Sequence, residues 1–441
     1  MPDRQDQPSH TDRLPLMIDL SSTSLTPDER ELLREGRVSG VCLFGRNVTD
    51  RGQVADYVAQ LRSLAGEDLV VAIDQEGGGV VRLFDVPVPP AAMALGFADD
   101  PDLTREVAMA AARGMRAVGV NLDFAPVADV NSNPLNPVIA DRSFGSDPES
   151  VARHVAAFVR GLQAEGVGAT IKHFPGHGDT DVDSHLDLPT VDGPLEELRR
   201  VELPPFAAGV RAGVAAVMSA HIVLPAIDAQ RPATLSSAAL NGLLRGELGF
   251  DGVIATDALD MRAISDRWPA PVAAVMSLQA GADLPLVIGA VASHRATLDA
   301  IEQAAEEGVV DLAGPRRRLA ELSRRFPGHA PDPDAAWREG DEELLAEAAR
   351  RGLAQRGELP RLKPGETVLL LARNEVRASA AAQVTVRPAA PLKRFLEEAG
   401  VHVRHVDVET ASPEEMPALL QGVDAAVYAS TTRVRPPEPE L

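Results

Sequence analysis

Eight short apolar runs alternate with amphipathic stretches from residue 14 onward, and this alternation constrains the fold more than any other feature. The predicted strands are Leu16–Leu20, Gly40–Phe44, Leu69–Ile73, Asn121–Pro126, Gly168–Ile171, Ala215–Ala220, Gly252–Thr256 and Ala282–Ile288. The predicted helices between them are 27–36, 52–64, 102–117, 149–165, 195–212, 236–247 and 294–307. Parallel strands joined by crossover helices give this pattern. The sequence therefore predicts an α/β fold, a (β/α)₈ barrel over residues 1–325 with some insertions.

Polar residues follow most of the predicted strands, as expected where a barrel carries its chemistry at the carboxyl ends of its strands. In chain order they are Asp74, Gln75 and Glu76, then Asp123 and Asp129, Lys172 and His173, His221, and Asp257. We therefore expect these side chains to meet at one end of the barrel.

A second, smaller domain is predicted beyond the barrel. The segment 326–340 is rich in proline and polar residues, which is typical of a linker. Three short apolar runs and intervening helical patterns follow over 341–441, and they predict a small α/β sandwich.

The charge and cysteine content narrow the classes of function. A formal net charge of −22 makes nucleic acid and anionic membranes poor partners, since the main electrostatic interaction is repulsive. Cys42 is the only cysteine and cannot form an internal disulfide, which fits a reducing compartment. No run has the unbroken apolar length of a membrane span, and the first residues lack the apolar core of a signal peptide. We therefore expect a cytoplasmic protein.

The stretch 171–189, IKHFPGHGDTDVDSHLDLP, concentrates titratable side chains. It holds three of the ten histidines and one of only three lysines, Lys172, in a chain that otherwise uses arginine for positive charge. A lone lysine suggests a requirement for a compact point donor. The glycines and prolines predict a loop after the fifth strand.

Two residues allow either a catalytic or an ordinary structural interpretation. Asp257 ends an apolar run, where it is equally well suited to attack an electrophilic carbon or to cap the next helix. His185 can act as a general acid and base with Asp183 as its hydrogen-bond partner, or it can be an ordinary surface histidine. A metal site built from His173, His177, Asp179 and His185 is a third reading, but the Pro-Gly loop does not give the ligand spacing of a helix. No metal and no cofactor are predicted.

Five further residues predict a polar ring around a ligand. They are Asp74, Arg82, Arg142, Lys172 and His173. Cationic side chains donate hydrogen bonds to sugar hydroxyls, and a carboxylate can accept two hydroxyl protons. Each of them could equally form a structural ion pair. The adjacent glycines, residues 77–79, do not have the spacing of a phosphate-binding loop.

Several motifs together resemble one family. These are IDQEGG, NLDFAPVADVNSNPLNPVIADRSFG, KHFPGHGDTDVDSHLDLP, MSAHIVLPAID and ELGFDGVIATDALDM. They resemble glycoside hydrolase family 3, in its bacterial β-N-acetylhexosaminidase branch. The resemblance implies a TIM-like barrel in which Asp257 is the nucleophile and His185 is the acid/base held by Asp183. It also implies that the five residues of the polar ring bind the N-acetylglucosamine unit.

The function implied by the resemblance is a retaining β-N-acetylglucosaminidase acting on cell-wall-derived fragments, with a small saccharide or muropeptide as substrate. A β-N-acetylglucosaminide phosphorylase is the alternative, because a histidine acid/base does not repel phosphate. A sugar-binding protein without turnover and a metal-dependent hydrolase are further alternatives. Two departures from the family bear on these: Gly79 replaces an arginine of the DQEGGRV motif, and the second domain is about half the usual length.

Overall fold

Eight apolar segments form one closed barrel of parallel strands in the computed structural model of the chain. The structure describes residues 13–134, 136, 138–180, 188–354, 361–373, 376–377, 385–386, 389–408, 410 and 412–429. The barrel strands are β1 (Leu14–Ile18), β2 (Val38–Leu43), β3 (Val70–Ile73), β4 (Leu122–Asp123), β5 (Gly168–Phe174), β6 (Ala216–Ser219), β7 (Val253–Ala258) and β8 (Leu284–Val287). Strand β8 pairs with β1 and closes the sheet. The predicted (β/α)₈ barrel is confirmed.

The strands are apolar throughout because both of their faces are buried. In β2, Val41 and Leu43 belong to the apolar layer between strands and helices, whereas Cys42 packs inside the barrel. Gly40 also belongs to the crowded interior, since a Cβ atom there would lie 2.6 Å from Cε of Met17. Parallel strands covered on both faces give continuous apolar runs of this kind. This is why the sequence located all eight.

The helices begin at residues that cap them. Thr26 forms a capping box with Glu29, and Asp50, Asp100 and Asp147 accept hydrogen bonds from the first-turn amides of their helices. The helices of the barrel unit are Pro27–Arg34, Arg51–Ala65, Ala92–Ala98, Pro101–Ala117, Pro148–Ala164, Leu195–Val201, Leu203–Arg211, Ala238–Glu247 (wound as a π-helix), Arg262–Ser265, Ala270–Ala280, Val291–Glu306, Ala313–Arg325 and Asp341–Arg351. None of the helices in the described ranges is long and apolar enough to cross a membrane.

The predicted helix 195–212 is two helices, broken at Glu202. Pro204 and Pro205 lack the amide hydrogens that a continuous helix needs at those positions, so a new helix begins at Leu203. The break turns the Glu202 side chain into the protein, where it is 6% exposed.

The second unit contains a small parallel sheet. Its central strand β9 (Thr367–Ala372) lies between β12 (His402–Val406) and β13 (Ala425–Ala429). Helix Ala389–Glu398 covers the sheet through Leu396, which packs with Val368 and Val401. A short antiparallel pair, β10 (Val376–Arg377) with β11 (Thr385–Val386), and helix Met416–Leu419 complete its described elements. The prediction of a smaller C-terminal α/β domain is thus confirmed.

The predicted domain boundaries need correction. The chain divides into two compact units between Leu353 and Ala354, so helix Asp341–Arg351, assigned from the sequence to the second domain, belongs to the barrel unit. Arg351 Nη1 donates a hydrogen bond of 2.8 Å to Asp100 Oδ2 on a barrel helix. An amphipathic helix that follows a proline-rich segment gives no local sign of the unit on which it packs.

The predicted linker 326–340 also lies against the barrel unit. Trp337 Nε1 donates to the carbonyl oxygen of Asp85 at 3.0 Å, and the Asp332 amide donates to the Ala117 carbonyl at 2.8 Å. The segment contains a 3₁₀ turn, Pro333–Ala336. The segment is therefore ordered and hydrogen-bonded to the barrel unit, and it is not a free linker.

Candidate active site

Polar side chains from β3, β5 and β7 lie at the same end of the barrel. Asp74 directly follows β3, Lys172 and His173 lie near the end of β5, and Asp257 lies near the end of β7. The strands of a closed parallel barrel all end on one face, and that face carries the active site in such barrels. The strand ends therefore define one candidate site.

Lys172 is the centre of a buried charge network. Its Nζ atom lies 2.7 Å from Asp74 Oδ1 and 2.6 Å from Glu76 Oε1, and its side chain is 2% exposed. Burial acts to lower the pKa of Lys172, but the charges of Asp74 and Glu76 outweigh it and raise the pKa above its ordinary value. Lys172 is therefore a permanent cation.

Arg142 joins the network through Glu76. Its Nε and Nη2 atoms donate to the two carboxylate oxygens of Glu76 at 2.8 and 2.7 Å. Burial acts to raise the pKa of Glu76, but the charges of Arg142 and Lys172 hold that pKa well below its usual range. A forked arginine–carboxylate pair fixes both side chains in the plane of the contact.

Asp74 is the most exposed member of this network. Its side chain is 17% exposed, whereas that of Arg82 is 2% exposed. Arg82 is a second cation beside Asp74, and its Nη2 atom lies 3.4 Å from Asp74 Oδ2. Two cations thus hold the Asp74 carboxylate in a fixed orientation. Such a carboxylate is suited to accept hydrogen bonds from neighbouring hydroxyls of a ligand.

His173 is held by a buried aspartate, Asp129. His173 Nδ1 lies 2.7 Å from Asp129 Oδ2, and Nε2 lies 3.3 Å from Arg142 Nη2. Because a guanidinium only donates hydrogen bonds, Nε2 must be an acceptor in that contact and the proton resides on Nδ1. Burial acts to raise the pKa of Asp129, but the interactions with His173 outweigh it and keep the pKa low.

Asp129 also anchors the loop that follows β5. Its Oδ1 atom accepts from the amides of His173 at 3.1 Å and His177 at 2.8 Å. On the other side, Asn136 Nδ2 donates to the carbonyls of His177 at 2.7 Å and Gly178 at 3.0 Å. This loop, residues 174–180, is thus tied to the segment after β4.

His177 has an internal role in this loop. Burial lowers the pKa of His177 to about 4, and its Nδ1 is hydrogen-bonded to Thr180 Oγ1 at 2.6 Å. No group of three or more metal-binding side chains occurs within the described ranges. His185, the fourth member of the metal site weighed from the sequence, lies outside them.

Replacing Gly178 by alanine is expected to displace the loop. The new Cβ atom would lie 1.6 Å from the carbonyl oxygen of Val130, so one of the two segments must move. Overpacking of this kind costs about 1–3 kcal/mol of unfolding free energy. We expect kcat/KM to fall by about tenfold or more, for a loss of the order of 1.4 kcal/mol.

Chemical denaturation and steady-state kinetics measure the two effects of Gly178→Ala. The matched control is Gly242→Ala in a helix interior, where the nearest atom to the new Cβ is 4.0 Å away. Unchanged stability and activity in Gly178→Ala would show that the loop accommodates the methyl group without consequence.

Asp183 and His185 lie outside the described residues, so their predicted acid/base role stays a prediction. The chain on both sides is anchored. Thr180 Oγ1 accepts from Asn136 Nδ2 at 3.3 Å, and Val223 bonds through its backbone to Pro189 and Val191 at 2.9 and 3.0 Å.

Asp257 does not cap the next helix, so that structural alternative is wrong. Helix Arg262–Ser265 has Met261 as its N-cap. Asp257 is half-buried, and its Oδ1 atom accepts from the Ala258 amide at 2.8 Å. His221 Nε2 lies 2.9 Å from the Ala258 carbonyl and steadies the same turn. The role of Asp257 as the nucleophile stays a prediction.

Four acidic residues proved more important than the sequence indicated. Glu76 and Asp129 follow predicted strands, but their ion-pair partners come from other segments of the chain. The sequence around each residue therefore does not reveal the pairing. Asp123 is fully buried, and burial raises its pKa to about 8; its Oδ2 has no hydrogen-bond partner among the described residues. Glu202 lies within the predicted helix 195–212, so nothing in the sequence indicated that it is buried. An acidic residue within or directly after an apolar run is the signal that could have identified the first three.

Comparison with known proteins agrees with this geometry. The family model of the glycosyl hydrolase family 3 N terminal domain matches residues 16–321. A beta-hexosaminidase of Stenotrophomonas maltophilia is 41% identical over 279 residues, which is 62% of this chain and 82% of that protein. A beta-hexosaminidase of Pseudomonas aeruginosa is 40% identical over 291 residues, 65% of this chain and 86% of that protein.

Solved structures give the same assignment. A glycoside hydrolase family 3 beta-N-acetylglucosaminidase from Paenibacillus superposes with a TM-score of 0.88 at 38% identity, covering 96% of this chain and 84% of that one. NagZ from Neisseria gonorrhoeae, solved in complex with N-trifluoroacetyl-D-glucosamine, superposes with a TM-score of 0.66 at 31% identity, covering 77% of this chain and 98% of that one. With its barrel, its strand-end charge network and these relatives, this chain belongs to glycosyl hydrolase family 3.

Proposed function

We propose that this chain is a retaining β-N-acetylglucosaminidase that hydrolyses terminal β-linked N-acetylglucosamine. The observation that carries the proposal is the fixed, partly exposed Asp74 carboxylate on the same barrel face as Asp257. Such a pair can hold a sugar by its hydroxyls and attack its anomeric carbon. The names of the two beta-hexosaminidases and of the Paenibacillus enzyme support the choice of sugar.

In the proposed mechanism Asp257 attacks the anomeric carbon and His185 protonates the departing glycosidic oxygen. The bond to the aglycone breaks as the bond to the Asp257 carboxylate forms, which leaves a covalent glycosyl-enzyme. Neutral His185, oriented by Asp183, then removes a proton from water, and the water oxygen displaces Asp257. Two inversions return the sugar with its original configuration. Histidine titrates near neutral pH, so both forms are accessible.

The five residues of the polar ring are assigned to the sugar. Asp74 accepts from two hydroxyl groups, while Lys172 and Arg82 orient its carboxylate and contribute donors at its edges. His173 and Arg142 complete the ring from the side of Asp129 and Glu76. Arg142 already donates to Glu76 through two nitrogens, so its contribution is chiefly to order the ring.

Product analysis tests the proposal. With p-nitrophenyl β-N-acetylglucosaminide we expect free N-acetylglucosamine, first released as the β anomer, at equal rates in phosphate and in non-phosphate buffer. Accumulation of the sugar 1-phosphate in phosphate would instead establish the phosphorylase. Binding of the sugar without release of p-nitrophenol would establish a binding protein, and loss of activity in chelator a metal-dependent hydrolase.

The proposal extends to cell-wall-derived fragments in the cytoplasm. The supporting observation is a single, buried cysteine, which fits a reducing compartment. Release of N-acetylglucosamine from a disaccharide-peptide fragment at a rate comparable with that from the aryl glycoside tests this substrate. A strong preference for chitin oligosaccharides would contradict it.

A further inference from the structure

Glu202 is a buried carboxyl group beneath the active-site loop 174–180. It stands at the break between helices Leu195–Val201 and Leu203–Arg211, where its amide still donates to the Leu198 carbonyl at 2.9 Å. A Cβ atom on Gly176 would lie 2.4 Å from Glu202 Oε2, so the carboxyl group packs directly on the backbone of the loop. Gly176 has a φ of +136°, which also excludes a side chain at this contact.

The carboxyl group has little to stabilise a negative charge. Oε1 accepts from Ser132 Oγ at 3.5 Å, and the Val130 backbone also hydrogen-bonds to the carboxyl group, but Oε2 has no hydrogen-bond partner within the described part of the chain. Among the described residues, the charges that act on it most strongly are those of Asp129 and Asp179, and both are acidic. Burial, followed by these two charges, raises the pKa of Glu202 to about 8.

We propose that Glu202 is a positioning residue that must be uncharged for loop 174–180 to hold its place over the site. As a neutral carboxylic acid it packs against Gly176 and leaves the Asp129–His173 pair undisturbed. As an anion it repels Asp129, whose carboxylate holds both His173 and the His177 amide. Ionisation of Glu202 thus weakens the attachment of the loop that borders Lys172 and His173.

The direction of the pH effect follows from the surrounding groups. His177, with a pKa lowered to about 4, stays neutral above pH 6, and the raised pKa of Lys172 keeps it cationic. The charged side chains nearest in sequence on the Glu202 helices pair elsewhere: Arg199 with Glu247 at 2.8 Å, and Arg200 with Glu197 at 3.3 Å. Asp123, with a pKa raised to about 8, titrates in the same window. The informative quantity is therefore the difference between wild type and Glu202→Gln.

The first measurement is stability against pH, which does not depend on any activity. An acid whose pKa is raised on folding binds its proton more tightly in the native state, so wild-type stability falls as the pH rises from about 4.5 towards 8. Glu202→Gln keeps the shape and removes this titration. We expect its melting temperature relative to wild type to rise between pH 5 and pH 8. The control Glu197→Gln, exposed on the preceding helix, is expected to follow wild type.

The second measurement is the Kd of N-acetylglucosamine from pH 6 to 9 by calorimetry, and it rests on the proposed function. Between pH 7 and 9 we expect wild-type affinity to fall by up to about tenfold more than that of Glu202→Gln, since about nine-tenths of a group with a pKa near 8 is ionised at pH 9. Sugar binding does not require the general acid, so titration of His185 does not determine the fall in affinity between pH 7 and 9.

The outcomes separate the inference from the function. Parallel stability profiles for wild type and Glu202→Gln overturn the neutral state of Glu202. Diverging stability profiles with identical pH dependence of Kd overturn the positioning role. Failure of wild type to bind the sugar at any pH rejects the proposed function, while the stability comparison still tests the ionisation of Glu202.

Discussion

Asp257→Ala is expected to lower kcat for p-nitrophenyl β-N-acetylglucosaminide by on the order of 10⁴-fold or more. Without the carboxylate there is no covalent intermediate, and the remaining groups of the site only bind and orient the sugar. Asp257→Asn should lose nearly as much, because its neutral amide has almost the same shape but is not a nucleophile of comparable strength. Steady-state kinetics with active-site titration of the wild type measures the loss.

Two controls distinguish this loss from a folding defect. Asp266→Ala removes an exposed carboxylate at the C-cap of the helix after the same strand, where it lies 3.4 Å from Arg262, and it should keep wild-type activity. Asp257→Ala should keep the wild-type melting temperature within about 2 °C, because Asp257 is half-buried and accepts from its own neighbour's amide.

External azide gives a positive signature. In Asp257→Ala it can enter the space left by the carboxylate, form a bond to the anomeric carbon as p-nitrophenolate leaves, and yield the α-glycosyl azide. A variant with more than a tenth of wild-type activity and no azide product would remove Asp257 from the mechanism.

The barrel could be predicted because its pattern is local. A strand covered on both faces must be apolar at every position, as β2 is, so each strand appears as an unbroken run. Helix starts were similarly local, since Asp100 and Asp147 cap helices that were predicted to within one residue. Strand ends were less accurate: the run 121–126 was predicted as a strand, but only Leu122–Asp123 forms a regular strand, although the flanking residues of the run also hydrogen-bond to the neighbouring strands.

The site could be predicted only as far as each residue could be read from its own segment. Asp74, Lys172 and Asp257 were placed correctly on one face because each follows or ends an apolar run. Glu76 and Asp129 were underestimated because their importance comes from pairing with Arg142 and His173, which lie on other segments. Long-range pairs of this kind leave no periodic signal in one sequence.

The break at Glu202 was missed although the two prolines that cause it are visible. Apolar spacing continues across Leu203 and Phe206, so the periodic signal favoured one helix over 195–212. Proline is tolerated in the first turn of a new helix, so the prolines indicate a helix start here. The new helix has no side-chain cap, so no capping residue marks its start in the sequence. The missing amide hydrogens of the prolines broke the helix despite its continuous apolar spacing, and the break placed the Glu202 carboxyl group inside the protein.

Lys172→Ala is expected to cause the largest combined loss of stability and activity among the residues of the polar ring. It leaves Asp74 and Glu76 without their shared cation, and removal of one partner from a buried ion pair costs about 3–5 kcal/mol of unfolding free energy. The Asp74 carboxylate also loses the contact that orients it, so kcat/KM should fall by about 10²-fold or more.

The pH dependence of this loss has a definite sign. The pKa of Glu76 is depressed in the folded wild type, so its contribution is present above the ordinary pKa of a glutamate and is lost as the pH falls through the folded value. The stability difference between wild type and Lys172→Ala should therefore be largest near pH 7 and shrink below about pH 4. Urea denaturation at pH 7, 5 and 3.5 measures it.

Two substitutions at Lys172 separate charge from packing. Lys172→Met keeps the length of the side chain but not its charge, and it should lose nearly as much activity as alanine. Lys172→Arg keeps the charge, but a planar fork cannot approach Asp74 and Glu76 at the 2.7 and 2.6 Å made by one nitrogen, so it should restore stability more than activity. The exposed Lys363→Ala serves as the control. Near wild-type activity in Lys172→Met would show that the ring needs only the volume of this side chain, and the charge network would then have no part in binding the sugar.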